Sequence, residues 1–533
     1  MLNAAQLPDN IAALKALLSA QSAQIDAFGQ ERAQWVVERE TLRQGTHDDK
    51  QEIARLGLLL DKLRRMLFGQ KSERLVAQID QLQLELEELH INQGGRAEKI
   101  ESTQASAARA APPRRPLPEH LPREVHEHLP KESACPDCGG AWQRLGEDVS
   151  EVLEHIPASF RIVRHVRPRL ACRCCDRMAQ ASAPSRPIAR SFAGPGLLSH
   201  VMVSKYLDHQ PLYRQCQIYE REHVNLAQST VGDWVGGVHE LLRPLIDALR
   251  RHVFTADKLH TDDTPIKVLA PGTGRTREAR LWVYARDDRP SGDTTAPAMW
   301  MRYSPDRRGI HPQTHLKDYM GILQADAFAG YNKVYESGRV VEAGCWAHAR
   351  RKFYDVHVKD ATPITTYVLE RIAELYKIES SIRGSPPDVR QGARQEHAKP
   401  IVTALYAWLR EQLPTVSRKS KTADAITYAM NQWQALTRYL DDGRIEIDNN
   451  AAERALRGVA LGRKNYLFLG SDAGGERAAT MYSLLGTAKL NDINPQAYLR
   501  HVLTVIADHP VNRIDELLPW NVGKHALSLD RAA

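Results

Sequence analysis

Apolar residues recur along this chain with different periods, and each period predicts a different kind of element. Ile53, Leu56, Leu60, Leu63 and Leu67 step by 3, 4, 3 and 4, and after residues 68–74 the stepping resumes at Ile79, Leu82, Leu86 and Leu89. This is a heptad seam. So narrow a stripe calls for a partner, so residues 1–90 are expected to form a coiled coil that joins copies of the chain into a homo-oligomer; a helical hairpin within one chain is the alternative. Residues 190–250 return to helical spacing, with one helix expected over 206–219 and a second capped by Ser229. A helix, a short turn and a second helix make a helix-turn-helix-like DNA-binding region, with Gln228, Thr230 and Asp233 as candidate base-facing residues, though helix pairs are also common scaffolding. From 255 to 361 the apolar runs shorten into strands, expected at 258–261, 281–286, 299–303, 322–325 and 340–344. Residues 362–440 are helical again (Val368, Ile372, Leu375, then Ile401, Leu405, Trp408). In 441–480, Asp448, Asn449 and Asn450 are capping residues for a helix in which Ala451, Ala452, Ala455, Leu456, Val459 and Leu461 favour burial of one side, and 481–533 reads as closing helices.

Composition sharpens this outline. A chain of 533 residues exceeds one ordinary domain. No apolar run is long enough to cross a membrane, and the N-terminus has no secretory pattern, so a cytoplasmic protein with no membrane partner is expected. The net charge of +7 permits nucleic-acid binding without arguing for it. Residues 91–130 turn to Gly, Ser, Ala, Arg and Pro, a linker stiffened by Pro112, Pro113, Pro116 and Pro118.

Cys135 and Cys138 in C-P-D-C-G-G are answered by C-R-C-C, where Cys172 and Cys175 repeat the spacing. Four thiolates make a closed tetrahedral site for one structural Zn²⁺ and leave no open position for catalysis; Cys174 is read as a bystander. The expected module is a zinc ribbon over 131–185. Arg161, Arg164, Arg167 and Arg169 give it a candidate phosphate-facing edge, with a zinc-stapled spacer as the alternative.

The candidate chemistry lies in three acidic positions. Asp262 follows a short strand-like run in K-L-H-T-D-D-T-P, Asp326 ends an apolar one in G-I-L-Q-A-D-A-F, and Glu453 sits on the first turn of the capped helix, 127 positions after Asp326. Carboxylates at adjacent strand ends with a third on a nearby helix form an oxygen cage suited to Mg²⁺. Two such ions can stabilise both the attacking and the leaving oxygen of a phosphodiester displacement. Asp263 is the rival to Asp262; alternation places Asp262 on the polar face with Lys258 and His260. Arg350, Arg351 and Lys352, then Arg457, then Arg463, Lys464 and Asn465 are candidate DNA contacts. Cys345 and His348 form a possible local structural pair.

These three motifs, D-D-T-P, Q-A-D-A-F-A-G-Y and D-N-N-A-A-E-R-A-L-R, resemble those of bacterial transposases of the insertion sequence 66 family, and the likeness continues through Gly462, Phe468 and Gly470. The resemblance implies a multidomain α/β protein whose ribonuclease H-like core is interrupted by the helical segment 362–440. It implies Asp262, Asp326 and Glu453 as the catalytic, metal-binding triad holding two Mg²⁺ ions (Mn²⁺ may replace them). The implied activity is DNA transposition, with DNA ends and target DNA as partners, small accessory proteins of the element as further partners, and a place at the bacterial nucleoid. The alternatives are a non-catalytic zinc-ribbon and helix-turn-helix regulator, or a metallonuclease without strand transfer.

Overall fold

The computed structural model describes residues 117–522 except 118, 120, 130–133, 157–158, 271, 463–464 and 466, together with scattered positions between 29 and 56. The heptad seam beyond Leu56, the linker up to residue 116, and Arg463 and Lys464 therefore lie outside the described residues.

The first sheet is built on a long hairpin. Strands β2 (Trp142–Ile156) and β3 (Ser159–Cys172) pair antiparallel from Trp142↔Cys172 to Ile156↔Ser159. Strand β1 (Arg123–Glu127) lies parallel to β3, and β4 (Met178–Gln180) runs antiparallel to it. β1 begins inside the stretch expected to be linker. Arg123 bonds Glu151 on β2, and Glu124 accepts from Arg161 on β3, so cross-strand ion pairs hold a segment with little apolar content.

Three helices follow: α1 (Pro195–Tyr206), α2 (Leu212–Arg221) and α3 (Gln228–Phe254). The helix expected over 206–219 starts later: Tyr206 ends α1, and α2 begins only at Leu212. The chain turns at His209, whose φ is +57°, and Pro211 fixes the start of the next helix. Ser229 is not the cap of α3; it lies inside, after Ala227, whose side chain caps nothing. Residues Val231, Trp234, Val235, Val238 and Leu242 bury α3 in the main core. Asp233 is half-buried with one oxygen lacking a partner, and burial pushes its carboxyl up to about 7.

The second sheet has the order β7–β6–β5–β8–β9. Strands β5 (Lys258–Ala270), β6 (Arg275–Arg286) and β7 (Ala298–Ser304) form an antiparallel meander. Strands β8 (Gly321–Gln324) and β9 (Val340–Ala343) continue the sheet in parallel. β5 and β6 run much further than expected, because T-P-I-K-V-L keeps alternating and Gly272 and Gly274, both at positive φ, allow the tight return. Asp262 consequently lies inside a strand, not at its end. Parallel pairing with β8 nevertheless stops at His260, two residues before it.

Helix α4 (Trp346–His357) leads from β9 into a helical body that includes α5 (Pro363–Ser381), α6 (Lys399–Gln412) and α7 (Lys421–Asn431). This body has its own core around Trp346, Phe353, Ile372, Leu405 and Ile426, joined to the sheet through Ile322 and Ala343. Its buried cations are matched: Arg394 and Arg390 bond Glu379, and Arg390 also bonds Glu446. The chain then returns to the sheet as α8 (Asn450–Gly462), which packs on β5 and β6. Helices α9 (Asp472–Leu490) and α10 (Pro495–Val505) close the main core against β7, α3 and α1.

Candidate functional site

Two clusters of titratable groups stand out, and they are built in opposite ways. At the open end of the β2–β3 hairpin, two similar turns face each other. Gly139 N–H bonds Cys135 C=O at 2.8 Å and Asp176 N–H bonds Cys172 C=O at 3.0 Å, with Gly139 and Asp176 both at positive φ. The turns bring Cys135, Cys138, Cys172 and Cys175 together, every sulfur within 4.8 Å of the others. The Cys138–Cys172 pair is closest at 3.1 Å. A hydrogen bond from the Cys138 thiol holds Cys172 down at about 6, which favours the thiolate a metal needs. This is a four-cysteine site for structural zinc. Cys174 is outside the four but not distant: a side chain at Gly140 would meet the sulfurs of Cys174, Cys172 and Cys138 together.

The four arginines of this sheet do not present a bare cationic edge. Arg161 pairs with Glu124 at 2.8 Å, Arg164 with Glu151 at 2.9 Å, and Arg167 and Arg169 with Asp148 at 3.5 and 2.6 Å. The strand register that sets Glu151 opposite Arg164 produces this cancellation.

The second cluster lies where β5, the end of β8 and α8 converge. Asp262 on β5 is influenced by the charges of Asp326 and Glu453; burial, then Asp326, pushes its carboxyl up to about 7. Its only bond among the described residues is from the N–H of Asp263 at 2.8 Å. Asp326 follows β8 by two residues and accepts the N–H of Phe328 at 3.2 Å. Glu453, on the first turn of α8, has Oε1 buried without a hydrogen-bond partner, with His348 Nε2 of α4 at 3.9 Å. Among the described residues no ion pair joins Glu453 to Arg457, which is exposed one turn further on.

Asp263 is different from its neighbour. Its side chain is 1% exposed and clamped by Arg280 at 3.1 Å and Arg307 at 2.9 Å. The same Arg307 guanidinium approaches Asp326 at 3.7 Å and stacks on Phe328. Neither arginine was legible as part of a site, because neither belongs to a motif or a periodic pattern.

The polar face shared by Lys258, His260 and Asp262 does not meet solvent over most of its length: Lys258 and His260 are buried. Lys258 Nζ donates to the carbonyl of Arg444 at 2.8 Å, and His260 Nδ1 meets Asn449 Oδ1 at 3.1 Å. Burial drives His260 down to about 3, so it is a neutral ring. The segment that returns from the helical body covers these two positions, and Asp262 lies just beyond it.

Arg350, Arg351 and Lys352 are exposed on α4, the helix that carries His348. Arg350 lies over Tyr354 and Lys352 over Tyr428. Asn465 is exposed in a turn closed by its N–H to the carbonyl of Gly462. Cys345 is buried, its sulfur accepting the N–H of Asn449 at 3.2 Å, and burial pushes its thiol up to about 12. Among the described residues only the four cysteines of the first sheet draw three or more ligand atoms within 4.8 Å. Cys345 and His348 form no metal cluster of that kind, and the three acids form a wider arrangement. The acids still fit a hard divalent cation, since Asp262 and Glu453 are crowded carboxylates with no arginine or lysine paired to them and one buried oxygen is unsatisfied.

Comparison with known proteins agrees with this division. The model described as Transposase IS66 family matches residues 190–477, and the IS66 C-terminal element matches 483–520. The zinc-finger binding domain of transposase IS66 matches 132–176, and a model described as Transposase C of IS166 homeodomain matches 55–125. In Sinorhizobium fredii, the uncharacterized protein y4hP is 40% identical over 494 residues, covering 88% of each chain. The uncharacterized protein y4qI of the same organism is 37% identical over 541 residues, covering 99% of this chain and 100% of its own. No helix among the described residues is long and apolar enough to cross a membrane. With a zinc-binding sheet, an acid-lined core and a family match over more than half its length, the chain belongs to the IS66 family of transposases.

Proposed function

We propose that this transposase is a metal-dependent DNA strand-transfer enzyme whose reaction is centred on Asp262, Asp326 and Glu453. The observation that carries the reading is that Asp262 and Glu453 have no arginine or lysine partner where β5, β8 and α8 meet, beside Asp326, which only shares Arg307 with Asp263. The order of the second sheet, three antiparallel strands followed by two parallel ones, is the order expected of a ribonuclease H-like core, with residues 362–440 as an insertion. Asp262 is preferred over Asp263 because Arg280 and Arg307 already neutralise the latter.

Two Mg²⁺ ions, or Mn²⁺ in their place, would supply charge neutralisation for the phosphodiester and activation of the attacking oxygen. Asp262 and Asp326 would hold them from the sheet and Glu453 from the helix. Arg350, Arg351 and Lys352 on α4, with Arg457 on α8, offer exposed cations around the site for DNA phosphates. Arg463, Lys464 and Asn465, next along the chain, would be further DNA contacts. His348, 3.9 Å from Glu453, would steady that carboxylate, while Cys345, which accepts the N–H of Asn449 ahead of α8, would have a structural role. Residues 1–90 would join copies of the chain, and accessory proteins of the element would complete the assembly.

The test is nicking of a DNA fragment carrying the element's own terminus, in Mg²⁺ or Mn²⁺. Glu453→Gln and Asp326→Asn keep shape and remove charge, so each is expected to lower cleavage by at least about a hundredfold. The cut should leave a 3′-hydroxyl that joins to target DNA. Cleavage that survives both substitutions would remove these acids from the mechanism; tight terminus binding with no cleavage by the wild type would favour the regulator.

A further inference from the structure

The D-N-N sequence ahead of Glu453 suggests helix capping, but the three side chains do different work. Asp448 serves the helix end: its carboxylate accepts the Asn450 N–H at 3.1 Å and the Asn450 amide at 2.6 Å. Asn449 is fully buried and its side chain points away from the helix. Its Nδ2 donates to the carbonyl of Thr261 at 2.8 Å. Because that carbonyl can only accept, Oδ1 faces His260, and the 3.1 Å contact there requires the hydrogen on His260 Nδ1. The backbone N–H of Asn449 goes to Cys345 Sγ, and its C=O accepts from Ala452 and Glu453, the first bonds of α8.

These contacts meet at one place in the fold. β8 stops pairing with β5 at His260, so the next carbonyl along that edge, Thr261, has no strand partner there. The Asn449 amide takes the position, joining the residues immediately before Asp262 to the turn immediately before Glu453. The side chain has only two rotatable bonds, so the link is short and stiff. A few tenths of an ångström decide whether carboxylates from two elements can share a cation.

We propose that Asn449 is a positioning residue: its side-chain amide, held by Thr261 and His260, fixes the spacing between the Asp262 strand and the Glu453 helix and so tunes cation binding. The inference rests on the proposed role of these acids. It assigns Asn449 no contact with DNA or with the ions.

The test is Mn²⁺ binding to the full-length, zinc-loaded protein, read by the loss of the free Mn²⁺ spin-resonance signal, without DNA. Wild type, Glu453→Gln, Asn449→Asp and His260→Leu are compared, with thermal unfolding and terminus binding as controls. Asn449→Asp keeps the size but turns an acceptor toward the Thr261 carbonyl. It should weaken the Glu453-dependent Mn²⁺ binding by about 10–100-fold, while terminus binding is unchanged. His260→Leu removes only the ring's bond and should weaken it by a smaller factor. Wild-type Mn²⁺ affinity in folded Asn449→Asp overturns the proposal, whatever its melting temperature. If that variant does not fold, wild-type affinity in folded His260→Leu overturns it instead. If wild type has no Mn²⁺ binding that Glu453→Gln removes, the assignment of the acids fails first and the positioning role falls with it.

Discussion

The zinc-binding sheet and the acid-lined core both gather charge, but the sheet pairs its acids with arginines, whereas the core leaves Asp262 and Glu453 without such partners. In the sheet, hydrogen bonds from Gln180 and Arg169 hold the Asp148 carboxyl below its usual range. Glu151 is also lowered: burial would raise it, and bonds from Arg123 and Arg164 outweigh that effect. In the core, burial and neighbouring carboxylates raise Asp262 instead. Cancelled charge needs nothing more to be stable. Uncancelled charge near a surface invites a cation, and that difference separates a scaffold from a candidate site.

The largest effect that would sharpen the contrast is zinc removal. The hairpin's open end is held chiefly by the four sulfurs, so chelation or Cys138→Ser should unfold that end while the core remains. Limited proteolysis should then cut within residues 123–180 and spare 195–517. Equal resistance with and without chelator would show that the ion pairs alone hold the sheet.

A smaller effect is expected at Asp262. Its carboxyl ionises near 3.8 in an unfolded chain and at about 7 in the folded, metal-free protein. The folded state keeps a proton that the unfolded state releases in that interval. The stability tied to this group is therefore full below 3.8, falls as the pH rises, and is gone above about 7. Asp262→Asn should match wild type near the acid end and exceed it by up to roughly 4 kcal/mol at about pH 8. Denaturant unfolding at the two pH values reads this directly, and saturating Mn²⁺ should erase the gap.

The smallest effects compare cations. Arg164→Ala breaks a partly exposed pair and should cost less than about 1 kcal/mol. It should also leave the salt dependence of DNA binding unchanged. Arg351→Ala, from the exposed cluster on α4, should reduce the slope of log K against log salt by about one. A slope change for Arg164 would mean that DNA competes for the arginines of the sheet, and the comparison would fail there.

Legibility followed the range of the interactions. The cysteine spacing was readable because both C-x-x-C turns are local, and the hairpin needed only to bring them together. The helix of Glu453 was readable from its caps and apolar spacing. The long β5–β6 hairpin was underestimated because T-P-I-K-V-L contains a proline, which argues against a central strand; β8 has already ended at that point. The start of the helix expected at 206 is moved to Leu212 by the polar break D-H-Q-P, which holds the turn at His209 and Pro211.

The sequence by itself determined which chemical groups are present: four thiols at metal spacing, three acids in separate motifs, and the small set of elements that could carry them. Tertiary structure alone decided which charges are cancelled. Adjacent Asp262 and Asp263 differ because Arg280 and Arg307 arrive from β6 and from the turn after β7. Four arginines on one strand lose their free charge because the register sets acids beside them. His260 becomes a buried, neutral neighbour of Asn449 because a segment nearly two hundred positions later crosses its strand. Electrostatic pairing and burial depend on distances in space, and no local pattern encodes those distances.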